Sequence, residues 1–199
     1  MTVSTAAAAA GFADPVHDAQ AAFRGLLDAM ARPGQIAELD VDLAPPSPLH
    51  VASAAVLLAL ADFDTPLWLD PAAAGDEVTD FLRFHCGCLV AAEPAQAAFA
   101  LIADPAAMPP LTAFAQGTDD YPDRAATLVV QVCDLAVDGG WQLRGPGIET
   151  TTSLKAAPLP ADLVGQLGAN HQRYPRGVDL VLTSGQRLAA LPRSTRIGG

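Results

Sequence analysis

The octapeptide RFHCGCLV, residues 83–90, sets a histidine beside two cysteines spaced one residue apart. Histidine and cysteine are common zinc ligands, and paired thiols carry redox chemistry. A closed zinc site needs four ligands, and a catalytic one usually takes three from the protein. His85, Cys86, Cys88 and the distant Cys133 make four only by count, because C-x-C is not the C-x2-C knuckle. On a helix, residues two apart face nearly opposite ways; on a buried strand they share a face that is hidden. Cysteine also packs as a small hydrophobe, so the economical reading is a helix end running into the core. Arg83 and His85 remain a pair that can meet an anion or a partner, although a helix C-terminus favours cations over anions.

A second stretch, RGPGIETTTSLK at residues 144–155, has the look of a phosphate loop. It lacks the G-x4-G-K-[ST] spacing, and Thr150 stands where a dinucleotide fingerprint needs its third glycine. What remains is a turn rich in hydroxyls, whose backbone amides can hold an anion at most. Lys155 is the sole lysine, so any Schiff-base chemistry must use it. No G-x-S-x-G or H-E-x-x-H motif is present, and His17, His50, His85 and His171 show no ligand spacing. Asp62 and Asp64, and the adjacent Asp119 and Asp120, are paired carboxylates. Pairs of that kind can divide acid and base roles, but in loops they are normally just solvated. The sequence therefore offers no catalytic set and no metal set.

Residues 174–197 are the most distinctive segment. Arg176, Arg187, Arg193 and Arg196 place four of ten arginines around one hairpin. Arginine forks bind carboxylate and phosphate, and they anchor protein interfaces. Arg24, Arg83, His85, Arg176 and Arg193 are the residues expected to meet a ligand or an interface.

These side chains need elements to hold them. Asp14-Pro15 is a helix start, and Ala19, Phe23, Leu26, Leu27 and Met30 follow at helical spacing until Pro33-Gly34 stops them. Ile36, Leu39, Val41 and Leu43 suggest a strand. Ser47-Pro48 again marks a helix start, and residues 49–62 are apolar nearly all round, as in a buried helix. Residues 65–69 read as a strand, 76–85 as a helix, 89–92 and 99–103 as strands around a Glu93-Pro94 turn, and 109–116 as a short helix. Residues 126–135 and 141–144 are expected to form a hairpin about Gly139-Gly140, 159–172 a helix, and 179–183 with 187–191 a second hairpin. Helices alternating with strands, then hairpins, predict an α/β domain with a central mixed sheet covered by helices.

The totals agree with one domain. A chain of 199 residues buries roughly 70% of its unfolded surface without disulfide or metal. Residues 1–13 read as a flexible tail and 14–199 as a single domain. A net charge of −11 argues against a nucleic-acid backbone or an anionic membrane as partner. The densest apolar run, residues 51–61, is about half the ~20 residues a membrane span needs. The alanine-rich N-terminus lacks a basic n-region, and the odd cysteine count suits free thiols, so a cytoplasmic location is expected.

Taken together, DAQAAFRGLLDAMARPG (18–34), LLALADFDTPLWL (57–69), LRFH (82–85), GPGIE (145–149) and YPRGVDLVLTSGQRLAALPRST (174–195) resemble one family in order and in extent. It is the H subunit of the bacterial carbon–phosphorus lyase system, the PhnH family. The resemblance implies a three-layer fold like the large domain of pyridoxal-phosphate transferases, without the cofactor. It implies a homodimer when isolated, which joins the G, I and J subunits in a core complex. It implies a non-catalytic role in making ribose 1-methylphosphonate 5-triphosphate from ATP and methylphosphonate. The two cysteines after RFH are not part of that pattern. Two rival functions stay open: a binding subunit for a phosphonate or nucleotide phosphate at a dimer cleft, and a free-standing pyridoxal-phosphate enzyme built on Lys155.

Overall fold

The computed structural model describes residues 10–198. Its core is a six-stranded mixed sheet in the order β1-β8-β7-β4-β3-β2. The strands are β1 (Ala37–Glu38), β2 (Leu67–Leu69), β3 (Phe99–Ile102), β4 (Thr127–Gln131), β7 (Asp179–Ser184) and β8 (Arg187–Leu191). β2, β3, β4 and β7 run parallel; β8 and β1 close one edge antiparallel. A smaller antiparallel sheet, β6-β5-β9, is formed by β5 (Asp134–Arg144), β6 (Thr152–Ala157) and β9 (Arg196–Gly198).

Strand periodicity explains the layering. Leu101, Val129, Val181 and Leu188 face one way and pack with α1 (Pro15–Ala31), α2 (Val51–Leu60) and α3 (Asp76–Cys86). Their neighbours Ile102, Val130, Leu182 and Ala189 face the other way, onto α4 (Leu163–Gln172) and the small sheet through Leu163, Leu135, Leu143 and Leu154. With both faces covered, the central strands read as unbroken apolar runs. The α/β class and the central mixed sheet are as the sequence predicts; the second face is covered by one helix and a small antiparallel sheet, which the sequence reading did not contain. α2 is buried on every side across Ala52–Leu57, which is why it shows no polar face. Among the described residues, no helix is long and apolar enough to cross a membrane.

Several local expectations are corrected. The helix after Ser47-Pro48 begins only at Val51, with His50 as its cap residue. The strand at 36–43 pairs through only two residues, yet Leu39, Val41 and Leu43 are buried between exposed Asp40 and Asp42. Residues 89–92 contribute a single bridge, Val90 to Leu67, and 109–116 only one turn of 3-10 helix. The hairpin about Gly139-Gly140 does not exist: β4 belongs to the large sheet and β5 to the small one. β5 runs on through both glycines as a bulge between Ala136 and Trp141, and its true hairpin partner is β6. Both glycines have φ near +80°, which the bulge requires.

On α1 the expected face is also corrected. Ala22, Leu26 and Ala29 are buried, whereas Phe23 is 46% exposed and Leu27 54%. Leu39 lies so close over Gly25 that a side chain there would collide with it. The small residues face the sheet because the helix packs tightly, and large apolar side chains are left outside. The expected tail falls mostly on residues outside the described ones; at its end, Phe12 packs against the core.

Candidate functional site

α3 ends at Cys86, and Gly87 adopts φ 67°, the left-handed C-cap that only glycine takes freely. That reversal folds Cys88 back toward the helix, where its thiol approaches the Leu82 carbonyl at 3.9 Å; Cys86 approaches Leu57 O at 3.7 Å. The closeness of the two thiols, aided by burial, pushes the Cys86 thiol up, and the same neighbour lowers Cys88 to about 7. Cys88 is 3% exposed, so its sulfur belongs to the core despite the favoured thiolate. Cys133 is exposed and lies after β4. Among the described residues, no three His, Cys, Asp or Glu side chains are grouped as a metal would need.

The five predicted residues do not converge on one place. Arg24 is exposed on α1 and Arg83 on α3. His85 stacks edge-on against Phe81 and Phe84, with centroids 4.7 and 5.0 Å away. It also lines a cavity of 260 Å³ with Phe12, Pro15, Ala19 and Leu58. Arg176 follows α4 and pairs with Asp119 at 3.2 Å, both exposed. Arg193 is a structural clamp. Its Nε donates to both Asp179 oxygens at 3.1 and 3.2 Å, and its Nη1 donates to the Pro122 and Pro175 carbonyls. Its side chain is 14% exposed, and its donors are already committed to the fold.

Other charged groups serve the fold in the same way. Asp70 is buried and accepts from the amides of Ala73, Ala103 and Asp104, tying the exit of β2 to that of β3. Asp62 closes a turn with Asp64 N and Thr65. Lys155 lies on β6 and pairs with Asp134 at 2.7 Å, which holds that carboxyl below its ordinary value. The GPG loop meets the end of α1 so closely that a side chain on Gly147 would strike the Ala31 carbonyl. Close packing against α1 is what Gly147 provides here.

Sequence reasoning passed over a further grouping. Arg144 and Arg196 pair across β5 and β9, and both line a cleft with His171 and Tyr174. The signal was present as Arg144 before the GPG turn and Arg196 near the C-terminus. Only the small sheet's register joins them.

Fold and surface together describe a three-layer α/β protein whose clamped charges hold its own loops, and whose α1 leaves large apolar side chains outside. The model of the bacterial phosphonate metabolism protein family (PhnH) matches residues 10–198. The chain belongs to that family. It is 43% identical over 199 residues to the alpha-D-ribose 1-methylphosphonate 5-triphosphate synthase subunit PhnH of Rhizobium meliloti (strain 1021), covering 99% of this chain and 98% of the relative. It is 33% identical over 81 residues to the putative C-P lyase subunit protein HtxG of Stutzerimonas stutzeri, covering 41% and 42% of the two chains.

Proposed function

We propose that this chain is an accessory subunit of an alpha-D-ribose 1-methylphosphonate 5-triphosphate synthase, acting by docking rather than by chemistry of its own. The observation that carries the reading is the outer face of α1. Val16 is 76% exposed, and Phe23 and Leu27 follow it at spacings of seven and four, on one side of the helix. Large apolar side chains grouped on a surface mark a protein contact more often than a scattered few do. Arg24 lies within this stretch, and an arginine beside aromatic residues is the usual composition of an interface anchor. The isolated chain is then a homodimer, and in the cytoplasm it joins the G, I and J subunits. The three layers are those of a pyridoxal-phosphate transferase large domain that has lost its cofactor. In support, Lys155 is ion-paired at a half-exposed position of the small sheet.

The test is size-exclusion chromatography with light scattering on the pure protein, then on its mixture with the G, I and J subunits. A dimer that enters the larger complex is expected. A monomer that ignores all three sinks the reading, as does turnover of methylphosphonate and ATP by this chain alone. The cavity beside His85 favours a second reading in which a phosphonate or nucleotide phosphate is held there, with Arg24, Arg83 or Arg176 contributed across a dimer. Calorimetry with ATP and methylphosphonate separates the two: no heat at millimolar ligand leaves docking alone.

A further inference from the structure

Arg144 and Arg196 stand directly opposite each other on β5 and β9. Like charges in that register repel, and both residues are exposed. In a chain of net charge −11 an acidic neighbour would be easy to supply. Yet among the described residues no carboxylate forms an ion pair with either guanidinium. Beside the pair opens a cleft of 310 Å³, walled by Arg144 and Pro146, by His171 and Tyr174, and by Ser194 and Arg196. Its lining holds no acidic side chain. The volume is at the lower end for small-molecule sites.

The cleft is partly ordered in advance. Arg196 Nε–H donates to His171 Nε2 at 3.0 Å, and His171 Nδ1 meets the Arg193 carbonyl at 3.2 Å. Acceptance at Nε2 and donation at Nδ1 together fix one ring orientation and one tautomer. Arg193 is itself clamped to Asp179, so the chain from Asp179 to Arg196 is held from the core outward. Among the described residues nothing engages the two η nitrogens of Arg196, which remain for an outside acceptor. The C-terminus of α4 brings about half a negative charge to this side, against two full positive ones.

We propose that this cleft binds a small organic phosphate or phosphonate. The dianionic head lies between the Arg144 and Arg196 guanidiniums, and the organic part rests on Tyr174 and Pro146. Guanidinium forks match phosphoryl oxygens in pairs, and the Ser194 hydroxyl supplies a further donor. A bare inorganic ion gains the charge contact but not the apolar one. An acidic peptide presents single negative charges along an extended chain and suits a concave site less well. This site does not depend on the docking reading, because it lies on the small sheet and not on α1.

Calorimetric titration of the full chain tests it, using ribose 5-phosphate, methylphosphonate, inorganic phosphate, sulfate and a glutamate hexapeptide as probes. Saturable binding is expected, tightest for ribose 5-phosphate, and weakened about tenfold or more in Arg144→Ser, the order of one charge-assisted bond pair. Arg144 is exposed, so the variant keeps its fold, which circular dichroism and gel filtration verify. Four results overturn the proposal: no saturable heat at millimolar probe, unchanged affinity in Arg144→Ser, sulfate bound as well as the organic ligands, or binding of the peptide alone. Variants of the outer face of α1 leave this binding intact, so its failure and the failure of docking are told apart.

Discussion

Arg193 grips Asp179 twice, from its backbone amide at 2.7 Å and from its guanidinium, so one carboxylate at the start of β7 fixes the segment that leaves β8. Both side chains are close to nine-tenths buried. Removing one partner leaves the other charge desolvated and alone, which typically costs about 3–5 kcal/mol. Arg193→Ala and Asp179→Asn should each show a loss of that order in urea unfolding. Arg193→Lys should recover only part, because an ammonium cannot reproduce the paired contact and the carbonyls of Pro122 and Pro175 together. A loss within about 0.5 kcal/mol, the range of ordinary surface changes, would show that the clamp holds nothing.

Much of the fold was legible in local signals, and the errors share a cause. Asp14-Pro15, the positive-φ glycine at Gly34 and the Ser184-Gly185 turn announce themselves through backbone chemistry that acts within a few residues. The bulge at Gly139-Gly140 uses the same residues as a turn, and only the distant pairing of β5 with β6 and β9 decides between them. On α1, helical spacing found the helix but not its buried side, because the tightest packing selects alanine and glycine over phenylalanine and leucine. The cationic residues were readable as types but not as partners. Arg193 reads as a ligand or interface residue by type, and no local signal shows its pairing with Asp179, fourteen residues earlier in the chain. Arg144 and Arg196 were met in two unconnected stretches, and no local pattern can report a cross-strand register.

The three thiols should separate by access and not by acidity. Cys88 has the lowered thiol, near 7, yet it is buried; Cys133 is exposed. Reaction needs both thiolate and approach. Timed iodoacetamide labelling with mass spectrometry should therefore modify Cys133 first, with Cys88 protected until denaturant is added. Early labelling of Cys88 would mean that the αL cap at Gly87 opens in the native state.

The first turn of α1 should carry its own pH dependence. Asp14 caps the amides of Val16 and His17 and also meets His17 Nδ1 at 2.8 Å. The hydrogen bond to His17 holds the Asp14 carboxyl below its ordinary value, and the same bond raises the His17 imidazole. The raised His17 contributes fully below its unfolded value and loses that contribution as pH rises through its folded one. The depressed Asp14 contributes above its unfolded value and loses it as pH falls. The turn is then firmest between about pH 4 and 6.5, and salt weakens the effect because both groups are exposed. Amide exchange at Val16 and His17 should show that window. His17→Ala should abolish the alkaline limb and weaken the acid one, which then rests on the amide caps alone, and a flat profile in the unmodified protein would exclude the pair.

Leu26 and Leu27 are adjacent on α1 and should behave as opposites. Leu26 is 7% exposed and packs with Ala22 and Ala29 against the sheet. Leu26→Ala should cost about 2–5 kcal/mol, the range for a buried leucine truncated in a close-packed core. Leu27 is 54% exposed, so Leu27→Ser should change unfolding by no more than about 0.5 kcal/mol. If the outer face of α1 is a docking surface, Leu27→Ser paired with Phe23→Ser should nevertheless weaken self-association or capture by the partner subunits, read as a shift in light-scattering mass with protein concentration. The core substitution changes how much folded protein exists, and the surface pair changes what that folded protein can hold. Normal stability with unaltered association in the double variant would remove α1 from the interface and leave the proposed docking role without its surface.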